Sequence, residues 1–120
     1  MQHEELTERI IGCAYTVSNS LGVGFLESVY EKALTHELRK AGLKAEQQLP
    51  LKVLYDDVIV GDFYVDILVN SEVILELKAA RAFEDIHMAQ CLNYLRATNL
   101  KVALLINFGT SKIQIKRIVR

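Results

Sequence analysis

Between about Glu4 and Leu21, apolar residues recur at Ile10, Ile11, Ala14, Val17 and Leu21, a spacing that puts them on one face of a helix. Gly22-Val23-Gly24 breaks that helix. A second helix is predicted from about Leu26 to Ala41, with Leu26, Val29, Tyr30, Ala33, Leu34 and Leu38 inward and Gly42 as its stop. The period then changes. Stretches from about Gln48 to Tyr55, Val58 to Val69 and Val73 to Ala79 are rich in Val, Ile, Leu, Phe and Tyr. The turn formers Asp56-Asp57 and Asn70-Ser71 separate them, so a three-stranded antiparallel meander is expected. A third helix follows from about Phe83 to Ala97, then two strands, Lys101 to Phe108 and Lys112 to Val119, around Gly109-Thr110-Ser111. This order predicts an α/β fold, bordering on α+β, with a mixed central β-sheet flanked by helices.

Two of the strands carry charge where burial calls for apolar residues. Asp66 interrupts Phe63-Tyr64-Val65 and Ile67-Leu68-Val69, and Glu76 and Lys78 interrupt Val73 to Ala79. Strand side chains alternate, so Glu76 and Lys78 share one face and Leu75 and Leu77 the other. A three-residue loop centred on Ser71 sets Asp66 across from Glu76 and Tyr64 across from Lys78. A two-residue Asn70-Ser71 loop puts the two acids on opposite faces, and the sequence leaves the choice open. If the face is shared, two half-buried carboxylates repel, and there are three remedies: protonation of one, Lys78 as counter-ion, or a divalent cation. A few hard oxygen donors suit Mg²⁺ or Mn²⁺. The competing reading is a buried ion pair of purely structural purpose.

Composition narrows the field. The 120 residues fit one domain spanning 1–120, with 51% apolar and 24% charged residues, as expected of a soluble globular chain. No apolar run reaches membrane-spanning length, and the acidic, polar N-terminus is unlike a signal peptide. Cys13 and Cys91 form no metal-ligand pair and read as buried free thiols, which points to the cytoplasm. The net charge of −1 makes no overall case for a polyanion partner, yet from Ile86 onward there are six basic residues and no acidic one. That asymmetry fits either a basic face or a solvated strand. There is no glycine-rich phosphate loop, no zinc spacing among His3, His36 and His87, and no nucleophile elbow.

Asp66 followed by Glu76-Leu77-Lys78 resembles the Asp…(Asp/Glu)-x-Lys signature of the PD-(D/E)XK nucleases. Gly24-Phe25-Leu26-Glu27-Ser28-Val29-Tyr30 resembles the GxxExxY motif of small proteins assigned to that superfamily, and Gln90-Cys91-Leu92-Asn93-Tyr94 the QxxxY motif of RecB-type nucleases. Val65 stands where the signature's proline would be. The resemblance implies a restriction-endonuclease-like core and Mg²⁺- or Mn²⁺-dependent cleavage of DNA, or else RNA. Asp66, Glu76 and the Leu77 carbonyl would hold metal, and Glu27 would add a ligand or orient a metal-bound water. Lys78 would orient or activate the attacking water and offset charge on the phosphorane oxygens, and Gln90 would join them. Tyr94 divides between core and site, Gly24 would permit a tight helix entry, and Tyr30 would pack. His87 reads as an ordinary helix histidine. A homodimer is the fold-level analogy for so small a nuclease. The alternative is a non-catalytic nucleic-acid- or protein-binding module that retains the nuclease fold.

Overall fold

The computed structural model describes residues 3–120. Helices α1 (Glu4–Leu21) and α2 (Glu27–Lys40) precede strands β1 (Ala45–Tyr55), β2 (Val58–Val69) and β3 (Val73–Lys78); α3 (Asp85–Thr98), β4 (Val102–Asn107) and β5 (Gln114–Val119) complete the chain. The five strands form one sheet in the order β1-β2-β3-β4-β5. Every neighbouring pair is antiparallel except β3 and β4, which run parallel with α3 as their crossover. The mixed sheet and the order of elements are as the sequence predicts.

Alternation along the central strands divides the core in two. Val73, Leu75 and Leu77 of β3, with Val102, Leu104 and Ile106 of β4, pack against Ile10, Ala14, Val17, Leu34 and Leu38 of α1 and α2. Ile74, Ala103 and Leu105 point the other way, against Cys91, Tyr94 and Leu95 of α3. Each buried Leu or Ile contributes roughly 1.5–3 kcal/mol, so β3 and β4, buried on both faces, are the rigid centre. Helix α2 ends where Gly42 stands: the Gly42 N–H donates to the Arg39 carbonyl and the Leu43 N–H to that of Leu38, each at 3.0 Å.

Several boundaries differ from expectation. Leu26 and Val29 lie outside the core, at 78% and 37% exposure, because Leu26 caps α2 and the helix turns Tyr30 inward instead. Cys13 is only half-buried, while Cys91 is buried as expected. Strand β1 starts at Ala45, three residues before the expected Gln48, since Ala45, Glu46 and Gln47 pair with Val69, Leu68 and Ile67 despite their polar pattern. Helix α3 starts at Asp85, two residues after the expected Phe83, and Glu84 and His87 close a reciprocal cap on it.

Strands β1 and β2 outrun the sheet. Pairing of β2 with β3 covers Ile67–Val69 against Val73–Leu75, whereas β1 and β2 continue together to Tyr55 and Val58. Asp56 and Asp57, at φ 50° and 63°, form the tight turn at the tip. The result is a two-stranded arm on a molecule whose principal extents are 46 × 29 × 24 Å.

Candidate active site

The β2–β3 connection settles the register that the sequence leaves open. Val69 faces Val73 and Ile67 faces Leu75, so residues 70–72 form a three-residue loop, with Asn70 and Ser71 left-handed at φ 51° and 57°. The next pair in this register is Asp66 with Glu76. There the backbone ladder stops and the two carboxylates take its place. The Asp66 N–H donates to Glu76 Oε1 at 3.2 Å, and the Leu77 N–H donates to Asp66 Oδ2 at 2.8 Å. Tyr64 therefore does not face Lys78 as expected; it pairs with Pro50 and is 58% exposed. The strands separate because side-chain oxygens have inserted between them.

This separation opens a notch with a defined lining. Both backbone groups of one strand residue point to the same edge, so the Leu77 carbonyl faces the gap into which its N–H donates. Glu76 is buried, at 6% exposure, beneath the α3 side of the sheet. Lys78 follows on the same face, half-buried, and forms no ion pair among the described residues.

Burial is the main cause that raises the Asp66 carboxyl, to about 6; nearby Glu31 and Glu27 add to it, while the Leu77 N–H and Lys78 oppose it. Burial also raises Glu76, to about 8, and the charge of Asp66 is the next cause. On α3, burial first and then the two acids raise Tyr94, so its hydroxyl stays a donor; burial likewise pushes the Cys91 thiol up to about 12, leaving it inert. Ionised together, the two carboxylates would carry more charge than Lys78 offsets. That donor set fits Mg²⁺ or Mn²⁺, which need only one or two carboxylates and complete their shell with water. Among the described residues no group of three or more His, Cys, Asp or Glu could by itself hold a metal ion.

The remaining expected residues fall in different places. Gln90 and Tyr94 line a cleft of about 660 Å³ between α3 and the arm, with Leu51, Phe63 and Arg96. The Tyr94 and Phe63 rings are tilted, with centroids 6.0 Å apart. Glu27 opens α2 and is exposed, near enough to act on Asp66 but not on hydrogen-bonding terms with it. Tyr30 packs, as expected: it is fully buried and stacked on Phe108 with centroids 4.8 Å apart. Its hydroxyl donates to the Gly22 carbonyl at 2.7 Å and accepts from the Phe25 N–H at 3.3 Å, which pins the loop before α2. Gly24 in that loop has φ 108°, where a side chain would strain the backbone. His87 accepts from the Glu84 N–H through Nδ1, a capping role.

Two contributions were missed from the sequence. Glu31, one turn after Glu27, is gripped by Gln47 and Gln48 Nε2 at 2.9 and 2.8 Å, and its charge helps to raise both acids. Its signal was the four-residue spacing from Glu27. Asn107, fully buried beside Lys78 in the β3–β4 register, anchors the chain that leaves the site. Its Oδ1 accepts from the Ala80 N–H at 3.0 Å and the Gly109 N–H at 2.9 Å; its Nδ2 donates to the Ala80 carbonyl at 2.9 Å and to Gln114 Oε1 at 3.2 Å. A Cβ on Gly109 would lie 2.3 Å from Ala80 backbone atoms, so only glycine lets the two segments approach this closely. The signal was again one polar residue in an apolar strand.

A mixed sheet with helices on both faces, and an acid pair where two strands part, defines an α/β fold of restriction-endonuclease-like architecture. The model of the PD-(D/E)XK nuclease superfamily matches residues 4–118, and the chain belongs to that superfamily. Among solved structures it is similar to one described as "Crystal structure of SSO0001", at a TM-score of 0.59 and 17% identity over 98% of this chain. The likeness is one of fold, and this chain spans 59% of that one's length. No curated protein matches. No helix among the described residues is long and apolar enough to cross a membrane.

Proposed function

We propose that residues 1–120 form one metal-dependent nuclease unit that hydrolyses phosphodiester bonds of DNA, with RNA as the alternative polymer, and that it belongs with the GxxExxY proteins. One observation carries this reading: the half-buried Asp66 and the buried Glu76 meet across parted strands, while the adjacent Lys78 ammonium has no ion-pair partner among the described residues. Asp66, Glu76 and the Leu77 carbonyl would hold Mg²⁺ or Mn²⁺, with Glu27 or Glu31 reaching a water of its shell. When bound, the cation polarises the phosphate and lowers the pKa of an adjacent water.

The chain's own groups do the rest. Lys78, on the face of Glu76, orients the attacking water and offsets charge growing on the phosphate oxygens. Water adds to phosphorus in line, the bond to the 3′ oxygen breaks, and a 5′-phosphate end remains. Gln90 and the protonated Tyr94 hydroxyl hold the substrate from the α3 side by hydrogen bonds. Asn107 keeps Lys78 in place by fixing the residues that follow it.

Purified protein incubated with linear, circular and branched DNA in Mn²⁺ should cut at least one substrate, and Lys78→Ala should lower the rate by ~10²–10³-fold. Cleavage undiminished in that variant, or absence of both cleavage and metal binding, refutes the proposal and favours a binding module.

A further inference from the structure

The cleft between α3 and the arm carries chemistry that the acid pair does not use. Leu51 pairs with Phe63 and Val53 with Gly61 across the arm, so these four residues share one face. Leu51 packs with Tyr94 and Leu95, so that face is the one turned to α3. The volume of about 660 Å³ lies within the roughly 300–1,000 Å³ of sites that take small ligands. Among the described residues no acid lines it, and Gln90 and Asn93 bring amide donors and acceptors. Lys52 at the rim is already paired with Asp62 at 3.4 Å. Arg96, exposed on α3, donates to Asn93 Oδ1 at 3.5 Å and makes no ion pair among the described residues.

Phe63 is the side chain in want of an occupant. Its ring meets that of Tyr94 at 50°, not face to face, and 41% of the residue stays exposed. A third ring can therefore lie on it. A Cβ on Gly61 would come within 2.8 Å of Phe63 Cε2, so the bare glycine two residues earlier gives the ring its place. An open aromatic face with amides and a cation beside it matches a nucleotide. The base stacks, its polar edge meets the amides, and its phosphate meets the guanidinium. A paired base keeps its ring faces inside the duplex and has none to offer. The cleft also adjoins the acid pair: Phe63 stands three residues before Asp66, about 10 Å along β2.

We propose that this cleft is a subsite for an unpaired nucleotide of the substrate, its base stacked on Phe63 and its phosphate against Arg96. The inference rests on the nuclease reading and narrows it. The substrate is unpaired beside the bond that is cut, and a blunt duplex is a poor one. Stacking is open to every base, so the subsite selects for strandedness and not for sequence.

Fluorescence anisotropy in EDTA, where nothing is cut, tests the subsite apart from the chemistry. A short single strand, of DNA or of RNA, should bind more tightly than a blunt duplex. Phe63→Leu keeps an apolar side chain against Tyr94 but has no ring face, and should weaken single-strand binding about 5-fold or more. Phe63→Tyr should restore it. Arg96→Gln, at an exposed site, should weaken binding and flatten the slope of log affinity against log salt by roughly 0.7. A duplex bound as tightly as the single strand overturns the proposal, and so does equal single-strand binding by Phe63→Leu and the unaltered chain. A chain that binds neither form overturns it too and leaves the cleft to an apolar protein segment. Single-strand binding that depends on Phe63, without cleavage in Mn²⁺, upholds the subsite and sinks the nuclease reading instead.

Discussion

Strand β3 and the outer half of β2 are built from the same kinds of residue and meet opposite fates. Val73, Ile74, Leu75 and Leu77 are at most 1% exposed, whereas Val58, Ile59 and Val60 are 51–60% exposed. Composition does not separate them. What separates them is company: β3 has strands on both sides and helices on both faces, and the outer half of β2 has only β1. Burial of an apolar strand is thus decided by topology. The active-site candidates sit where one regime gives way to the other, with Asp66 and Glu76 at the point where β2 leaves β3. A carboxylate deep within β3–β4 would be too costly to ionise, and one on the arm would be too wet to bind metal tightly.

A large effect on this contrast should come from Asn107, the polar fixture of the buried side. Asn107→Ala strips partners from the Ala80 and Gly109 N–H groups and from the Ala80 carbonyl, and removes a fully buried side chain. We expect a loss of about 3 kcal/mol, read as a fall of roughly 10 °C in the melting temperature. A loss below 1 kcal/mol would mean that the strand end is freer than its hydrogen bonds imply.

Much of this division was legible before the structure. The period change at Gln48, the turn formers and the three charges in apolar strands gave the elements and the centre of the site. The register of Asp66 and Glu76 was not legible, because Asn70-Ser71-Glu72 is compatible with two loop lengths and only chain geometry chooses. Nor was the arm, since nothing in Val58-Ile59-Val60 says that β3 will end before reaching it. Asn107 could have been found by the logic that found Asp66, had Val102 to Phe108 been read for its polar exception. Leu26 misled because an apolar residue on the helical period served as a cap.

A middle-sized effect concerns pH. Glu76 is raised from the ordinary 4.5 to about 8 in the folded chain, so the folded state holds its proton more tightly than the unfolded one. The associated stability is fully present below about pH 4.5 and is lost as pH rises toward 8. The melting temperature of metal-free protein should therefore fall by roughly 5 °C between pH 5 and pH 8.5, and Glu76→Gln should flatten that slope. Saturating Mn²⁺ should reverse the fall, because the cation binds the ionised form. A metal-free protein that gains stability over this range would show that Glu76 is ionised and compensated when folded, and the notch would then lose its claim on a metal.

The smallest effect is the sharpest test of the comparison. Leu104 and Ile59 are both large aliphatic residues on strands, the first fully buried and the second 51% exposed. Leu104→Ala should cost about 2–5 kcal/mol through lost burial and the cavity left behind. Ile59→Ala should cost about 0.5 kcal/mol or less, since half of its surface is already in water. Equal costs for the two residues would mean that the arm is buried in solution and that its exposure does not persist.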